Sequence, residues 1–232
     1  MGTQTYFFQV FAFFLVMIFI IGLSACKKSD TPFVCGNTVT YGGKNYKTVQ
    51  IGTQCWFREN LNIGTRINRD SSQKNNGIIE KYCYDDNEDN CNTYGGLYYW
   101  DELMQYVKTE GAKGICPEGW HIPTDEEWTI LVEFLGGDSL AGVKMKEAGT
   151  AHWYSPNTGA TNSSGFTALP GGIRAWVSGY RYYNISFSTY FWSSTLDYDN
   201  HNVWCRHLSY NYAFFSRWPL SEAGSPARCI LN

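Results

Sequence analysis

Charge of either sign is scarce in this chain. Only 17% of its 232 residues are charged, and 18 Lys and Arg against 21 Asp and Glu leave a net charge of −3. No basic stripe of the kind that binds nucleic acid is present, which argues against a nucleic-acid partner. The chain has 4 His, and His121 in HIPTDEEW has no second His four residues on, so the helical zinc-protease arrangement is missing. None of the 8 cysteines has CxxC spacing, which argues against a zinc knuckle. Fixed-period repeats and low-complexity tracts are absent as well. The chain is rich in aromatics, with 9 Trp, 17 Tyr and 14 Phe, and it carries 23 Gly. With 44% hydrophobic residues this is globular composition, and aromatics among Gly and Asn turns predict many short strands joined by long loops. The length fits one compact domain, or at most two.

The longest apolar run, Val10 to Ile21, spans 12 residues, short of the roughly 20 that cross a bilayer. It leads to Leu23-Ser24-Ala25-Cys26, small residues before a cysteine at the end of a signal-peptide core. This resembles a bacterial lipobox, in which cleavage precedes Cys26 and Cys26 carries lipid. The segment MGTQTYFFQ departs from that pattern because it lacks Lys and Arg. An uncleaved anchor from Tyr6 to Ala25 is the alternative. The lipobox reading predicts a signal peptide over 1–25, a lipidated Cys26 with a polar tether over 26–37, and a folded domain over 38–232. The domain would lie outside the cytoplasm, held to a bacterial membrane at the cell envelope or surface, where disulfides persist. Seven cysteines then remain, so at least one thiol stays free.

Residues 38–60 read as strands with a turn at Tyr41-Gly42-Gly43-Lys44 and a hairpin break at Gly52-Thr53. Residues 62–80 read as a loop, followed by an acidic turn between Cys83 and Cys91. Trp100, Leu103, Met104 and Val107 fall at i, i+3, i+4 and i+7 and predict an amphipathic helix. In CPEGWHIPTDEEWTILVEFLGG, residues 116–137, Thr124 and Glu127 form a capping box, and Asp125, Glu126 and Glu127 suit the positive end of a helix. Trp128, Leu131, Val132 and Leu135 repeat the helical spacing, and Gly136-Gly137 ends it. The histidine and acids of this stretch therefore read as helix-start residues rather than as catalytic groups. A second helix is predicted over Ser139 to Ala148, packing through Leu140, Val143 and Met145. Aromatic-rich strands follow. The order predicts an α+β fold with two or three short helices against twisted, mostly antiparallel sheets.

Six segments occur in one order: YKTVQIGTQCWFRENLN, YGGLYYWDELM, CPEGWHIPTDEEW, NSSGFTALPGGIR, FWSST and the final ARCI. Together they resemble the Fibrobacter succinogenes major paralogous domain, a family of secreted and lipid-anchored bacterial proteins. The resemblance runs from about Val39 to Asn232 and implies a C-type-lectin-like fold, similar to that of formylglycine-generating enzymes. Neither Glu-Pro-Asn nor Trp-Asn-Asp, the calcium and sugar segments of calcium-dependent lectins, is present. By the same resemblance Cys116 pairs with Cys229, Cys35 with Cys55 and Cys83 with Cys91, leaving Cys205 over.

Several clusters are candidates for chemistry. Asp85, Asp86, Glu88 and Asp89 could offer oxygens to calcium, yet they lack the EF-hand spacing and read as a solvated acidic turn. Asp197, Asp199 and Asn200 form a weaker cluster. Cys205 is followed by Arg206 and His207, which could stabilise a thiolate, against the reading of a buried inert thiol. No catalytic constellation is complete, and no metal or cofactor is expected. Trp176, Tyr180, Tyr182, Trp204, Tyr210 and Tyr212 are the candidate ligand-binding residues, because flat rings beside Asn and Asp stack on sugars. Trp192 in FWSST reads as core. These features predict a binding or adhesion module for polysaccharide, or a structural component that contacts a cell-surface protein.

Overall fold

The computed structural model describes residues 32–199 and 201–232, together with Gly2. Cys26 and the expected signal segment lie outside the described residues, as does Asn200. The compact unit runs from Phe33 to Asn232 and so includes the end of the expected tether. Cys35 there is joined to Cys55, and Phe33 packs edge-on against Trp120.

The first sheet grows from local pairing. Gly42 and Gly43 take positive φ between β1 (Thr38–Tyr41) and β2 (Lys44–Ile51), and Gly52 does so between β2 and β3 (Gln54–Phe57). Two residues each form β4 (Thr65–Arg66) and β5 (Glu80–Lys81), a parallel pair inside the expected loop. Helix α1 (Glu88–Tyr94) lies where only an acidic turn was expected. It lacks an apolar stripe and buries only Cys91, so its anchors are the Cys83–Cys91 disulfide and the Asn87 side chain capping Asp89 N–H.

Helix α2 (Trp100–Leu103) is one turn long, shorter than its periodicity predicts. Gln105 and Tyr106 adopt φ of 52° and 60°, which breaks the helix and leaves Val107 exposed. Glu102 explains the break: its carboxylate accepts from Glu80 N–H at 2.9 Å and from Tyr106 Oη at 2.9 Å, so the chain folds back over it. After β6 (Trp120–His121), α3 (Asp125–Phe134) follows the sequence signals closely, with Trp128, Leu131 and Val132 buried. Next, α4 (Asp138–Met145) is displaced from its expected range, with Leu140 exposed and Ala141, Gly142 and Met145 buried. Gly142 sets that face, because a Cβ there would meet Ala213 O at 2.2 Å. Among the described residues there are thus four α-helices rather than two or three.

The remaining strands are β7 (Gly171–Trp176), β8 (Tyr180–Ile185), β9 (Ser188–Leu196), β10 (Val203–Ser209), β11 (Ser216–Leu220), β12 (Ala223–Gly224) and β13 (Ile230–Leu231). They complete two sheets, ordered β1-β2-β3-β13-β6 and β11-β10-β9-β7-β12, with β8 also paired to β7. All pairs are antiparallel except β4–β5 and β7–β9, so the fold is α+β and mostly antiparallel.

Strand alternation feeds two cores. Phe57 and Trp192 enter one with Leu103 and Met104, while their neighbours Trp56 and Phe191 enter the other with Trp128 and Phe166. Buried indoles keep partners, as Trp100, Trp128, Trp153 and Trp192 each donate to a backbone carbonyl at 2.9–3.2 Å. Cys116 joins Cys229, and Cys205 is free and buried.

The three disulfides close loops of separation 113, 20 and 8 residues. Chain entropy predicts that removing Cys116–Cys229 costs most, about 4–5 kcal/mol, against about 2–3 kcal/mol for Cys83–Cys91. Paired alanine variants followed by urea denaturation should rank 116–229 above 35–55 above 83–91. A reversed order would show that local strain, not loop closure, governs the cost.

Candidate functional site

A gathering of aromatic and polar groups surrounds Arg174 on β7. Arg174 is 1% exposed, and its guanidinium lies 3.9 Å from the ring centroids of both Tyr82 and Tyr180. Its Nη1 donates to Tyr99 Oη at 2.7 Å, Nε donates to Arg69 O at 3.0 Å, and Nη2 reaches Arg69 O and Ser71 O. Arg174 thus serves as a clamp that fixes three tyrosines from separate segments.

These rings line a cavity of about 200 Å³ with Gln73, Asp101, Glu102 and Tyr106. Tyr99 and Asp101 also line a second cavity of about 260 Å³, whose walls include Trp100, Trp192, Lys108, His201 and Glu222. Tyr99 and Asp101 line both, so the two cavities adjoin. Burial raises Glu102 above the usual carboxylate range, against the hydrogen bonds from Glu80 N–H and Tyr106. Burial likewise pushes Tyr99 up to about 12, so its phenol stays protonated and able to donate. Trp176 is 60% exposed and packs edge-on at 4.8 Å against Tyr180, which lines the first cavity.

A family model described as Fibrobacter succinogenes major domain matches residues 49–230. The chain belongs to this family. No curated protein and no solved structure matches it. The cleft residues of this family member all fall within the matched span.

The six expected ligand-binding aromatics do not share one face. Tyr180 lines the cleft and Trp176 packs against it. Tyr182 sits beside Tyr84 and donates to Asp86 Oδ1 at 2.9 Å. Trp204 is covered by the Arg217 guanidinium at 3.4 Å and meets Tyr198 edge-on. Tyr210 packs with Tyr154 and Phe187, and Tyr212 is exposed while its carbonyl accepts from Lys146 Nζ. Tyr82, Tyr99 and Arg174 were not singled out from sequence, although YGGLYYWDELM and NSSGFTALPGGIR contain two of them.

The acids have local partners. Asp86 Oδ1 also accepts from Arg69 N–H, and Glu88 pairs with Lys81 at 2.7 Å and Arg66 at 3.6 Å. Cys83, Glu88 and Cys91 gather within 4.8 Å, but the sulfurs are joined to each other, which removes the thiolates a metal would bind. Asp197 takes the Asn202 amide and the N–H groups of His201 and Asn202. Burial pushes the Cys205 thiol up to about 12 despite Arg206, and pushes His207 down to about 4, so both are neutral near pH 7. This is the environment of an inert thiol.

In the helix-start motif, the capping box forms as expected. Asp125 is gripped by Arg217 at 2.8 Å and by Arg206 at 3.5 Å from the second sheet. His121 Nε2 lies 2.9 Å from both Glu127 oxygens and Nδ1 lies 2.7 Å from Asn232 Oδ1. Burial opposes the imidazolium, but these hydrogen bonds outweigh it and raise His121 above 6.5. Burial likewise opposes the Glu127 carboxylate, but its bonds to His121 and Thr124 hold it below 4.5.

The His121 share of stability is present below pH 6.5 and is lost as pH rises through its raised value, while the Glu127 share is present above 4.5 and is lost as pH falls. The pair therefore contributes most between about pH 4.5 and 6.5. Glu127→Gln keeps a capping side chain, so its loss in urea midpoint relative to the parent should peak in that window. A loss independent of pH would rule the ion pair out as its source.

Proposed function

We propose that this protein is a lipid-anchored, extracytoplasmic binding or adhesion module that holds polysaccharide in the cleft around Tyr99. The observation that carries the reading is a cavity walled by Tyr82, Tyr99 and Tyr180, with the exposed Trp176 packed against Tyr180 and a second cavity that also uses Tyr99 and Asp101. Rings fixed by Arg174 give a flat, pre-organised surface for the apolar faces of sugars, and Asp101 and Lys108 stand ready for hydroxyls. Preorganisation matters because a sugar gains little from rings it must first order. Three disulfides fit an oxidising compartment outside the cytoplasm. No helix among the described residues is long and apolar enough to cross a membrane. Attachment is assigned to Cys26, on Leu23-Ser24-Ala25-Cys26. A C-type-lectin-like fold is part of the same reading, supported by the antiparallel sheets and by the late strand that closes the first of them. A second reading, contact with a cell-surface protein, draws on the packed and partly exposed trio Tyr154, Phe187 and Tyr210.

Protein produced from the full sequence in an oxidising envelope should bind members of a panel of insoluble and soluble polysaccharides, equally in calcium and in chelator. Trp176→Ala or Tyr180→Ala should weaken binding about tenfold, whereas Trp218→Ala should leave it unchanged. Absence of binding to every glycan sinks the carbohydrate reading and shifts weight to the protein partner. Anchoring is tested separately: Cys26→Ser should abolish incorporation of labelled fatty acid and release the protein from membranes. Continued incorporation in that variant would overturn the lipid assignment.

A further inference from the structure

A second concavity, of about 340 Å³, shares no lining residue with the aromatic cleft. It opens between the start of β2, the turn after β3, the end of α1 and the segment before β7. Lys44, Lys47, Arg58 and Arg228 all line it, in a protein whose net charge is −3. Among the described residues, none of these four cations takes part in an ion pair. Glu59 is the one carboxylate in the lining, and its Oε2 accepts from Lys47 N–H at 2.8 Å.

Arg228 forms the buried part of the wall, at 2% exposure. Its Nε donates to Asn60 Oδ1 at 2.6 Å, Nη1 to Phe57 O at 2.9 Å and Phe166 O at 2.8 Å, and Nη2 to Thr167 O at 3.0 Å. All four acceptors are neutral. A guanidinium carries five N–H groups, so one Nη2 proton is left without an acceptor among the described residues. Burial, only partly offset by Glu59, pulls Arg228 down to about 9, the mark of a charge without a close counter-ion. Arg58 uses Nε on Gly165 O and Nη2 on Thr167 Oγ1, and its Nη1 has no acceptor among the described residues. Lys44 Nζ reaches only the Asn92 carbonyl, at 3.1 Å.

Buried charge is costly unless it is paired, and Arg228 lines a polar concavity together with three more cations. We propose that this concavity is an oxyanion site, taking the sulfate, phosphate or carboxylate group of a ligand. The spare N–H groups of Arg228 and Arg58 donate to its oxygens, and Lys44 and Lys47 complete the charge. Charge-assisted hydrogen bonds of this kind are shorter and stronger than neutral ones. The site does not rest on the glycan reading of the cleft.

The test uses the full-length protein and three probes: sodium sulfate, sodium phosphate and sodium glucuronate, each balanced with sodium chloride to constant ionic strength. At least one probe should raise the thermal midpoint saturably above chloride, as a ligand of the native state does. Which probe does so assigns the ligand as a sulfate ester, a phosphate ester or a uronic acid. Lys44→Gln with Lys47→Gln, both at the rim, should weaken that probe at least about tenfold. Arg58→Gln, checked for native unfolding cooperativity, should do the same. Equal midpoints in all three probes and in chloride, or a rim variant that responds like the parent, would overturn the proposal.

Discussion

Ile230 pairs with Trp56 of β3 on one side and with His121 of β6 on the other, so the last strand of the chain fills the gap in a sheet built from its first half. Two residues of ladder cannot hold such a position against the entropy of the long connection they close. The adjacent residues supply what the ladder lacks. Cys229 is bonded to Cys116, and Arg228 reaches acceptors on Phe57, Asn60, Phe166 and Thr167. Asn232 then meets His121, which in turn holds the Glu127 carboxylate of the α3 capping box. The end of the chain thereby connects the first sheet, the start of α3 and the loop before β7.

Elsewhere the fold relies on buried cations gripping carbonyls rather than on regular structure. From Lys146 to Pro170 the chain has no helix or named strand, and a loop of that length is uncommon in a compact domain. Lys146, fully buried, places Nζ within 3.1 Å of Thr158 O, Ser209 O and Tyr212 O. Asn157 donates to Glu147 O and Gly149 O, and Trp153 to Ala168 O. These contacts satisfy backbone groups that a sheet would otherwise pair. A loop fastened in this way can present a fixed surface without joining a sheet.

The sequence was most legible where a local pattern and the tertiary fold agree. The β2–β3 hairpin has glycine at its turn, and α3 has both a capping box and an apolar stripe. Helix α1 was hidden because a disulfide, not periodicity, secures it. Helix α2 was overextended because the left-handed Gln105 and Tyr106 answer to Glu102, and no local signal announces a buried carboxylate. The candidate aromatics read as one belt in the sequence, yet Trp204 and Trp176 lie on strands whose faces meet different neighbours. Arg174 could not be found from sequence, since a lone cation in PGGIRAW says nothing until Tyr82, Tyr99 and Tyr180 surround it.

Arg174 and Arg228 show how the same buried group can serve opposite ends. Arg174 has every nitrogen engaged, and rings cover both of its faces. Its charge is spread into π faces and carbonyls, so its effect is to hold the cleft wall rigid, and a ligand there meets tyrosines rather than the cation. Arg228 has only phenylalanine rings beside it, at 4.2 and 5.5 Å, and neutral acceptors that leave one proton free. It lines a concavity that Lys44, Lys47 and Arg58 also line. On the proposed readings, one arginine shapes an aromatic surface for neutral faces, and the other presents its charge to an anion. The frame that the last strand closes thus holds two concavities of contrasting lining, one walled by a fully engaged arginine and its tyrosines, the other by an arginine with a spare N–H.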